Sequence, residues 1–161
     1  MVEPLTPDHV KAALEALGLK VSIEHFDSST ATSQEAADTL GTELGSIVKS
    51  LCFLIGDEPI MVLGAGDRQM DDRKLAALRG VGRKKVRMAR PEQSIEFSGY
   101  APGGVPPIGH RVSMPIYIDD TLARFETVYA AAGASDTIFR IAYSKLLEVT
   151  GGEVVDVARN V

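Results

Sequence analysis

Three features are scarce in this sequence, and each absence excludes a class of protein. The single cysteine, Cys52, excludes an internal disulfide framework. The chain has no run of about 18 apolar residues, the length that a membrane-spanning helix requires. Its first residues lack the basic and apolar regions of a signal peptide. We therefore expect a cytoplasmic protein that does not cross a membrane.

The common nucleotide, metal and nucleophile motifs are also missing. Gly103-Gly104 is followed by prolines and not by a helix, so the pair cannot be a P-loop. Cys52 has no Cys or His partner at motif spacing, which favours a thiol buried in the core. We found no metal-ligand spacing, nucleophile elbow or dinucleotide fingerprint. The sequence therefore predicts neither a metal nor a cofactor.

Length and periodicity predict one α+β domain. The 161 residues, 45% of them apolar, are enough for a single core, and we expect one domain over residues 1–161. Strands dominate, and the helices between them follow no regular βαβ rhythm, which indicates a mixed sheet. One stretch has two interpretations. Residues 122–132 fit a helix by propensity, whereas residues 127–130 with the following glycine fit a strand entering a turn.

The charge is unevenly distributed. The net charge of −5 argues against nucleic-acid binding, yet nine of the 17 basic residues lie between Arg68 and Arg90. A one-sided basic patch on an acidic protein can attract a phosphate backbone. The alternative is an ordinary solvated surface, since basic runs are common on helices and hairpins.

Lys49 is the most informative single residue. It interrupts an apolar run over residues 47–55, and strand alternation places it on the same face as Ile47, Leu51 and Phe53. Burying an ammonium group is costly unless an anion or several acceptors meet it. Lys49 is therefore either a lysine that snorkels at a sheet edge or a cation directed at a phosphate or carbonyl in a cavity.

A loop rich in glycine and proline spans residues 99–110. It contains four glycines and three prolines, which exclude both a helix and a central strand. Glycine pairs let backbone approach a ligand closely, and prolines stiffen the loop around them. His110 ends the loop, where it can donate a hydrogen bond or act as a base, although a lone loop histidine is more often only solvated.

Four motifs in this order resemble the YbaK family, the free-standing relatives of the editing domain inserted in bacterial prolyl-tRNA synthetase. The resemblance runs from about residue 33 to residue 161. It depends on Glu35-Ala-Ala with Leu40-Gly41, Ile47-Val-Lys-Ser-Leu51, Gly99-Tyr100 with Gly103-Gly-Val-Pro-Pro-Ile-Gly109, and Pro115-Ile-Tyr-Ile-Asp119. The lysine motif and the Gly-x-x-x-Pro loop are fairly specific together.

The resemblance implies a mixed, barrel-like sheet with surrounding helices, and it favours the strand interpretation of residues 127–130. It implies hydrolysis of the ester that joins a wrong amino acid to tRNA. The implied catalytic residues are Lys49, which helps place the substrate at the terminal adenosine, and Gly103, which opens the backbone loop around the aminoacyl group and the hydrolytic water. Gly104, beside it, is also predicted to be catalytic. Val105-Pro106 stands where relatives often carry a small polar residue, so the amino acid accepted can differ.

The remaining site predictions fall into two groups. The residues predicted to contact the substrate are Thr30, Ser50, Val105, Pro106, Pro107 and His110. The residues predicted to contact the acceptor stem of tRNA are Arg83, Lys84, Lys85 and Arg87.

The main hypothesis is a trans-acting deacylase that removes a small wrong amino acid, such as cysteine or alanine, from proline tRNA. Its expected partners are tRNA and prolyl-tRNA synthetase, with the protein itself a monomer or a weak homodimer. One alternative is a non-catalytic module that keeps the pocket but only binds tRNA or a partner protein. Another is a small-ligand domain that makes no RNA contact.

Overall fold

Local capping signals determine where the helices begin and end. The computed structural model describes residues 3–161. Its helices are α1 (Pro7–Ala16), α2 (Ser33–Leu40), α3 (Asp72–Arg79), α4 (Pro91–Phe97) and α5 (Tyr143–Thr150). Thr32 and Glu35 form a capping box at the start of α2, as the sequence predicts. No helix within residues 3–161 is long and apolar enough to cross a bilayer.

Short, mostly apolar segments form the strands. These are β1 (Ile23–His25), β2 (Ile47–Ile55), β3 (Glu58–Ala65), β4 (Val86–Met88), β5 (Ile116–Asp119), β6 (Thr127–Ala131), β7 (Thr137–Ala142) and β8 (Glu153–Val155). β2 and β3 form a hairpin whose turn, Gly56-Asp57, uses a positive φ of 63° at the glycine. β6 is a strand. This confirms the strand interpretation of residues 127–130, although their propensity favours a helix.

All eight strands join one mixed sheet. The main order is β1-β7-β6-β2-β3-β5-β8, and β4 pairs with β2 beside it. Three neighbouring pairs are parallel, β2 with β6, β3 with β5 and β5 with β8. Within residues 3–161 the outer strands β1 and β8 do not pair with each other, so the ladder does not close into a ring. The predicted α+β class, with a mixed sheet and surrounding helices, is confirmed.

The two faces of β2 bury different clusters of apolar residues. Val48 and Cys52 belong to the largest cluster, which also takes in α1, α5 and part of the loop over residues 99–110. Ile47 packs on the other face with α2, and Phe53 packs farther along that face with α3. Cys52 is a buried core thiol as predicted, and burial raises its pKa to about 11. Lys49 thus lies between the clusters under α2 and α3, on the face that alternation predicts.

A buried carboxylate fixes the path of the chain after β8. Asp119, at the end of β5, is 0% exposed. One carboxylate oxygen accepts the N–H groups of Val157 and Ala158 at 2.9 and 3.0 Å, and the other accepts the N–H and the hydroxyl of Thr121. Charge-assisted hydrogen bonds of this kind are the strong ones, so Asp119 joins β5 to the segment that follows β8.

That segment in turn holds the loop between β3 and α3. The N–H of Asp71 donates to Val157 O at 2.7 Å, and the N–H of Arg159 donates to Gln69 O at 2.8 Å. The ammonium of Lys74, on α3, donates to Ala158 O at 2.7 Å. Residues 69–71 are therefore fixed by a part of the chain that is distant in sequence.

Replacing Asp119 by Ala should lower the free energy of unfolding by about 2–4 kcal/mol, because two buried N–H groups lose their acceptor. Chemical denaturation with urea measures the change. Asp120→Ala alters the exposed neighbouring carboxylate and should change stability by less than about 0.5 kcal/mol. Equal effects of the two substitutions would contradict the role assigned to Asp119.

Candidate functional site

A cavity of about 290 Å³ lies beside the first half of β2. Its walls come from β2, from the loop before α2 and α2 itself, from β6 and β7, and from the glycine-proline loop. The lining residues are Thr30, Ala31, Thr32, Ser33, Ala36, Ile47, Val48, Lys49, Ser50, Leu51, Gly103, Val105, Tyr129, Ala130, Ala131 and Ile138. The walls are mainly apolar, with hydroxyl groups and one cation. Such a cavity suits a group the size of an amino acid.

Three loops meet at the rim of this cavity. A Cβ added to Gly103 would lie 3.0 Å from Ala31 Cβ, so the two loops touch at a glycine. The carbonyl of Gly104 accepts the N–H of Gly133 at 2.9 Å, and the N–H of Thr30 donates to Ser135 O at 2.7 Å. These backbone contacts fix the glycine-proline loop against the loop before α2 and against the turn between β6 and β7.

Lys49 supplies the cation of the cavity. Its side chain is half-buried, and Nζ donates to the backbone carbonyl of Arg68, in the loop after β3. Burial lowers the pKa of the Lys49 ammonium below its usual value, and the nearby Asp67 carboxylate offsets part of this effect. Lys49 is therefore a lining residue of the cavity whose ammonium group is held by a backbone acceptor.

Asp67 is engaged by a second cation. Arg124 donates to its two carboxylate oxygens at 2.7 and 3.0 Å, in a bidentate arrangement. The hydrogen bonds from Arg124 hold the pKa of Asp67 below its usual range. Asp67 is therefore ionised at neutral pH, although Arg124 and not Lys49 is its direct partner.

Hydrogen bonds within and beside the glycine-proline loop fix its shape. Ser94 Oγ donates to Tyr100 O at 2.8 Å, and the Tyr100 hydroxyl donates to Gly109 O at 3.0 Å. His110 Nε2 lies 2.7 Å from Pro106 O, so this nitrogen carries the proton and donates to the carbonyl. Burial lowers the pKa of His110, although the bond to Pro106 opposes the effect. His110 therefore closes the loop on itself.

The structure brings five of the predicted residues together and leaves the others outside the cavity. Thr30, Lys49, Ser50, Gly103 and Val105 all line it. The remaining predicted loop residues are not among its lining residues, and most are buried within the loop behind it. They are Gly104, Pro106, Pro107 and His110.

The predicted tRNA-contacting residues lie at the opposite end of β2. Arg83, Lys84, Lys85 and Arg87 are all exposed, and Lys85 O accepts the N–H of Gly56 in the hairpin turn. Six strand residues separate Lys49 from the end of β2, which corresponds to about 20 Å. These basic side chains form a surface that is separate from the cavity.

Sequence reasoning did not identify the wall that β6 and β7 supply. Tyr129, Ala130 and Ile138 line the cavity because β6 runs parallel to the start of β2, with Ile47 opposite Tyr129. The pairing joins residues that are distant in sequence, and an alternating strand pattern carries no information about its partner. The capping box at Thr32 was a local signal for the α2 side of the cavity.

One group of carboxylates is close enough to share a cation. Asp119, Asp120 and Asp156 each place an oxygen within 4.8 Å of the others. Both oxygens of Asp119 already accept hydrogen bonds, and Asp156 forms an ion pair with Lys74 at 2.9 Å. The cluster therefore fits a structural role in the segment after β8.

Gly103→Ala should destabilise the protein by about 1–3 kcal/mol, because Gly103 has a φ of 91° and the added methyl group would meet Ala31. Thermal and urea unfolding measure the loss. Gly82→Ala is the matched control, since its φ is −73° and nothing lies within 4 Å of the added Cβ. An unfolding free energy unchanged by Gly103→Ala would show that the loop adapts at this point.

Comparison with known proteins gives a consistent result. A sequence model of the aminoacyl-tRNA editing domain matches residues 27–149. The chain is 34% identical over 140 residues to the uncharacterized protein YwhH of Bacillus subtilis, covering 86% of this chain and 87% of that protein. It is 27% identical to the protein named "Putative Cys-tRNA(Pro)/Cys-tRNA(Cys) deacylase EbsC" of Enterococcus faecalis, covering 78% and 76% of the two chains.

Similarity extends to a larger enzyme and to a solved structure. Proline–tRNA ligase of Maridesulfovibrio salexigens is 35% identical over 106 residues, which are 66% of this chain but only 18% of the ligase. A crystal structure described as a putative trans-editing enzyme for prolyl tRNA synthetase superposes with a TM-score of 0.89 at 36% identity, covering 96% of this chain and 97% of the other. The chain belongs to the aminoacyl-tRNA editing domain family.

Proposed function

We propose that this protein is a trans-acting aminoacyl-tRNA deacylase, which hydrolyses the ester between a wrong amino acid and tRNA. One observation carries the proposal. In a member of the editing family, a half-buried lysine and a glycine with positive φ line the same small cavity, although they are distant in sequence. The lysine cation can bind the negatively charged nucleic-acid end of the substrate. The glycine, which has no side chain, lets the loop backbone lie close to the aminoacyl group.

The chemistry requires little from the protein. An aminoacyl ester is already activated, so a positioned water and dipoles facing the developing oxyanion supply sufficient help. Lys49 attracts the phosphate or ribose end of the substrate. Gly103 and Val105, from the glycine-proline loop, enclose the amino acid together with Thr30 and Ser50. Water then attacks the carbonyl carbon, and the bond to the ribose oxygen breaks.

Four of the predicted residues act from behind this wall. Gly104 accepts a hydrogen bond from the turn between β6 and β7, and His110 holds the carbonyl of Pro106. Pro107 stiffens the loop. We propose that these residues maintain the shape of the loop. Through that shape they limit the size of the amino acid that the cavity admits.

The size of the cavity and the names of the relatives suggest which amino acid is removed and which tRNA carries it. A cavity of about 290 Å³ with apolar walls accommodates a small side chain such as that of alanine or cysteine. Apolar pockets discriminate weakly between side chains that differ by one methylene group, which is the situation that editing sites correct. The names of EbsC and of the trans-editing neighbour point to proline tRNA as the carrier.

We propose tRNA as the main partner and prolyl-tRNA synthetase as the enzyme whose errors the protein corrects. Residues 1–161 act as one editing unit in the cytoplasm, where tRNA is charged. The exposed basic residues Arg83, Lys84, Lys85 and Arg87 meet the acceptor stem, and the single-stranded end of the tRNA extends from there to the cavity.

A deacylation panel tests the proposal. Proline tRNA charged with cysteine, alanine, serine or proline is incubated with the protein, and loss of the labelled amino acid is followed. At least one mischarged tRNA should be hydrolysed faster than the correctly charged one. Lys49→Ala should slow this at least about 100-fold, whereas the exposed Lys20→Ala should have no effect. Binding without turnover across the panel would instead indicate a non-catalytic module.

The pH profile gives a second test of Lys49. If its ammonium form acts, kcat/KM should fall on the alkaline side, at a pH below the ordinary lysine pKa of 10.5, because burial lowers the pKa of Lys49. Asp67→Asn removes the carboxylate that raises this pKa, so the alkaline fall should move to lower pH. Rates are corrected for uncatalysed hydrolysis, and Asp57→Asn at the exposed hairpin turn is the control. An unmoved profile would exclude coupling between Asp67 and Lys49.

Salt dependence tests the basic surface. Reversing Lys84 and Lys85 to Glu should raise the KM for charged tRNA about 10-fold at low salt and should flatten its dependence on salt concentration. Hydrolysis of an aminoacyl ester of adenosine alone should be unaffected, since it does not reach this surface. Lys11 and Lys20 reversed together make the matched control, because they are exposed on another part of the protein. If both pairs behave alike, the surface around residues 83–87 has no special role.

A further inference from the structure

The edge of β2 that faces the cavity has a gap in its strand pairing. β6 pairs with β2 only at Ile47 and Val48, and β4 pairs with it only from Phe53 onward. β3 covers the whole opposite edge, from Val48 to Ile55. Within residues 3–161, no strand pairs with residues 49–52 on the edge between β6 and β4. The cavity lies at this gap.

Ser50 directs its backbone toward the gap. The carbonyl of Ile47 accepts the N–H of Gly66 and so points toward β3, whereas the carbonyl of Cys52 accepts the N–H of Ala89 and so points toward β4. In an antiparallel ladder, alternate residues direct both N–H and C=O to the same side. Ser50 therefore points both groups away from β3, and the ladder with β6 ends before it, at Val48 opposite Ala130.

The side chain of Ser50 is also unsatisfied. Its hydroxyl oxygen is buried and has no hydrogen-bond partner in the described part of the chain. Ser50 lines the cavity next to Lys49. Buried polar groups are almost always paired, and leaving one unpaired costs about 1–3 kcal/mol. The unpartnered hydroxyl lies on the same residue whose N–H and C=O face an edge that no strand covers in residues 3–161, and together they indicate a built binding position.

We propose that the backbone of Ser50 binds the aminoacyl group as if it were one residue of an added strand; this proposal rests on the deacylase function. In an extended amino acid, the amine and the carbonyl lie on the same side, as they do in a hydrogen-bonded antiparallel pair. The substrate amine donates to Ser50 O, and Ser50 N–H donates to the ester carbonyl oxygen. The cavity lining contains no carboxylate in the described residues, so a backbone carbonyl receives the amine.

This arrangement also assists the reaction. When the oxygen of water attacks the carbonyl carbon, negative charge develops on the oxygen that Ser50 N–H already contacts. The bond to the ribose oxygen then breaks, that oxygen takes a proton from the attacking water, and the products are a free amino acid and uncharged tRNA. The contacts with the Ser50 backbone involve only the amine and the carbonyl of the substrate, which all amino acids share. Selection among amino acids therefore depends on the apolar walls of the cavity, including Val105 and Tyr129.

Replacing one backbone N–H by an ester oxygen tests the proposal directly. Lactic acid is incorporated at position 50 by nonsense suppression and compared with Ser50→Ala, from which it differs in lacking the N–H and in having a weaker acceptor at the Lys49 carbonyl. We expect kcat/KM for a charged tRNA to fall about 10- to 100-fold, with only a small loss in the unfolding midpoint, because this N–H faces the gap and no strand in residues 3–161 pairs with it there. The same replacement at Leu51 removes an N–H that points to β3 and should lower the midpoint further. Full activity of the position-50 ester would overturn the proposal.

A second measurement does not depend on turnover. Amide hydrogen exchange at Ser50 is followed by NMR with and without 3′-alanylamido-3′-deoxyadenosine, in which an amide replaces the ester. Exchange at Ser50 should slow at least 10-fold, while Leu51, already bonded to β3, should not change. Protection without hydrolysis of any charged tRNA would retain the binding position and reject the deacylase function. Hydrolysis without protection, or no binding of the analogue, would reject the binding position.

Discussion

Two strands of opposite direction share one edge of β2, and the site depends on this constraint. β6 arrives parallel and covers the start of the edge, while β4 arrives antiparallel and covers its end. Neither strand reaches the other, so within residues 3–161 no strand pairs with residues 49–52 on this edge. On the opposite edge, β3 pairs with all four of these residues. A rigid strand with an unpaired centre results. The loops carrying Thr30 and Gly103 close over that centre and convert an irregularity of the sheet into a cavity.

The same division explains how a lysine can lie inside an apolar layer. Lys49 belongs neither to the apolar cluster under α2 nor to the one under α3, although its strand neighbours on that face, Ile47 and Phe53, belong to them. Its ammonium is only half-buried and finds a backbone carbonyl, so the cost of desolvation lowers its pKa without making the charged form inaccessible. An apolar side chain at this position would join the two apolar clusters into one. Packing alone therefore does not require a lysine here.

Much of the local structure could be predicted from the sequence, because its causes are local. The capping box of Thr32 and Glu35, the glycine turn after β2 and the alternation around Lys49 each depend on residues a few positions apart. The shape of the site could not be predicted in this way. It depends on β6 lying beside β2, on Ala31 touching Gly103, and on Pro106 being held by His110, and no periodicity encodes which segments meet. The resemblance to a known family supplied the link between Lys49 and the loop, and the comparisons confirmed that family.

The hydrogen bonds around Asp119 have a consequence for the order of events during synthesis. The carbonyl that holds Lys49 belongs to the loop after β3, and that loop is fixed by residues 157 and 159. A chain growing on the ribosome can form the hairpin of β2 and β3 early, because the two strands are adjacent in sequence. It cannot fix the lysine in place until residue 159 has been made, roughly 5–20 seconds after β3 at ordinary rates of translation. A growing chain that lacks residues 157–159 therefore carries the pocket residues without an ordered cationic site.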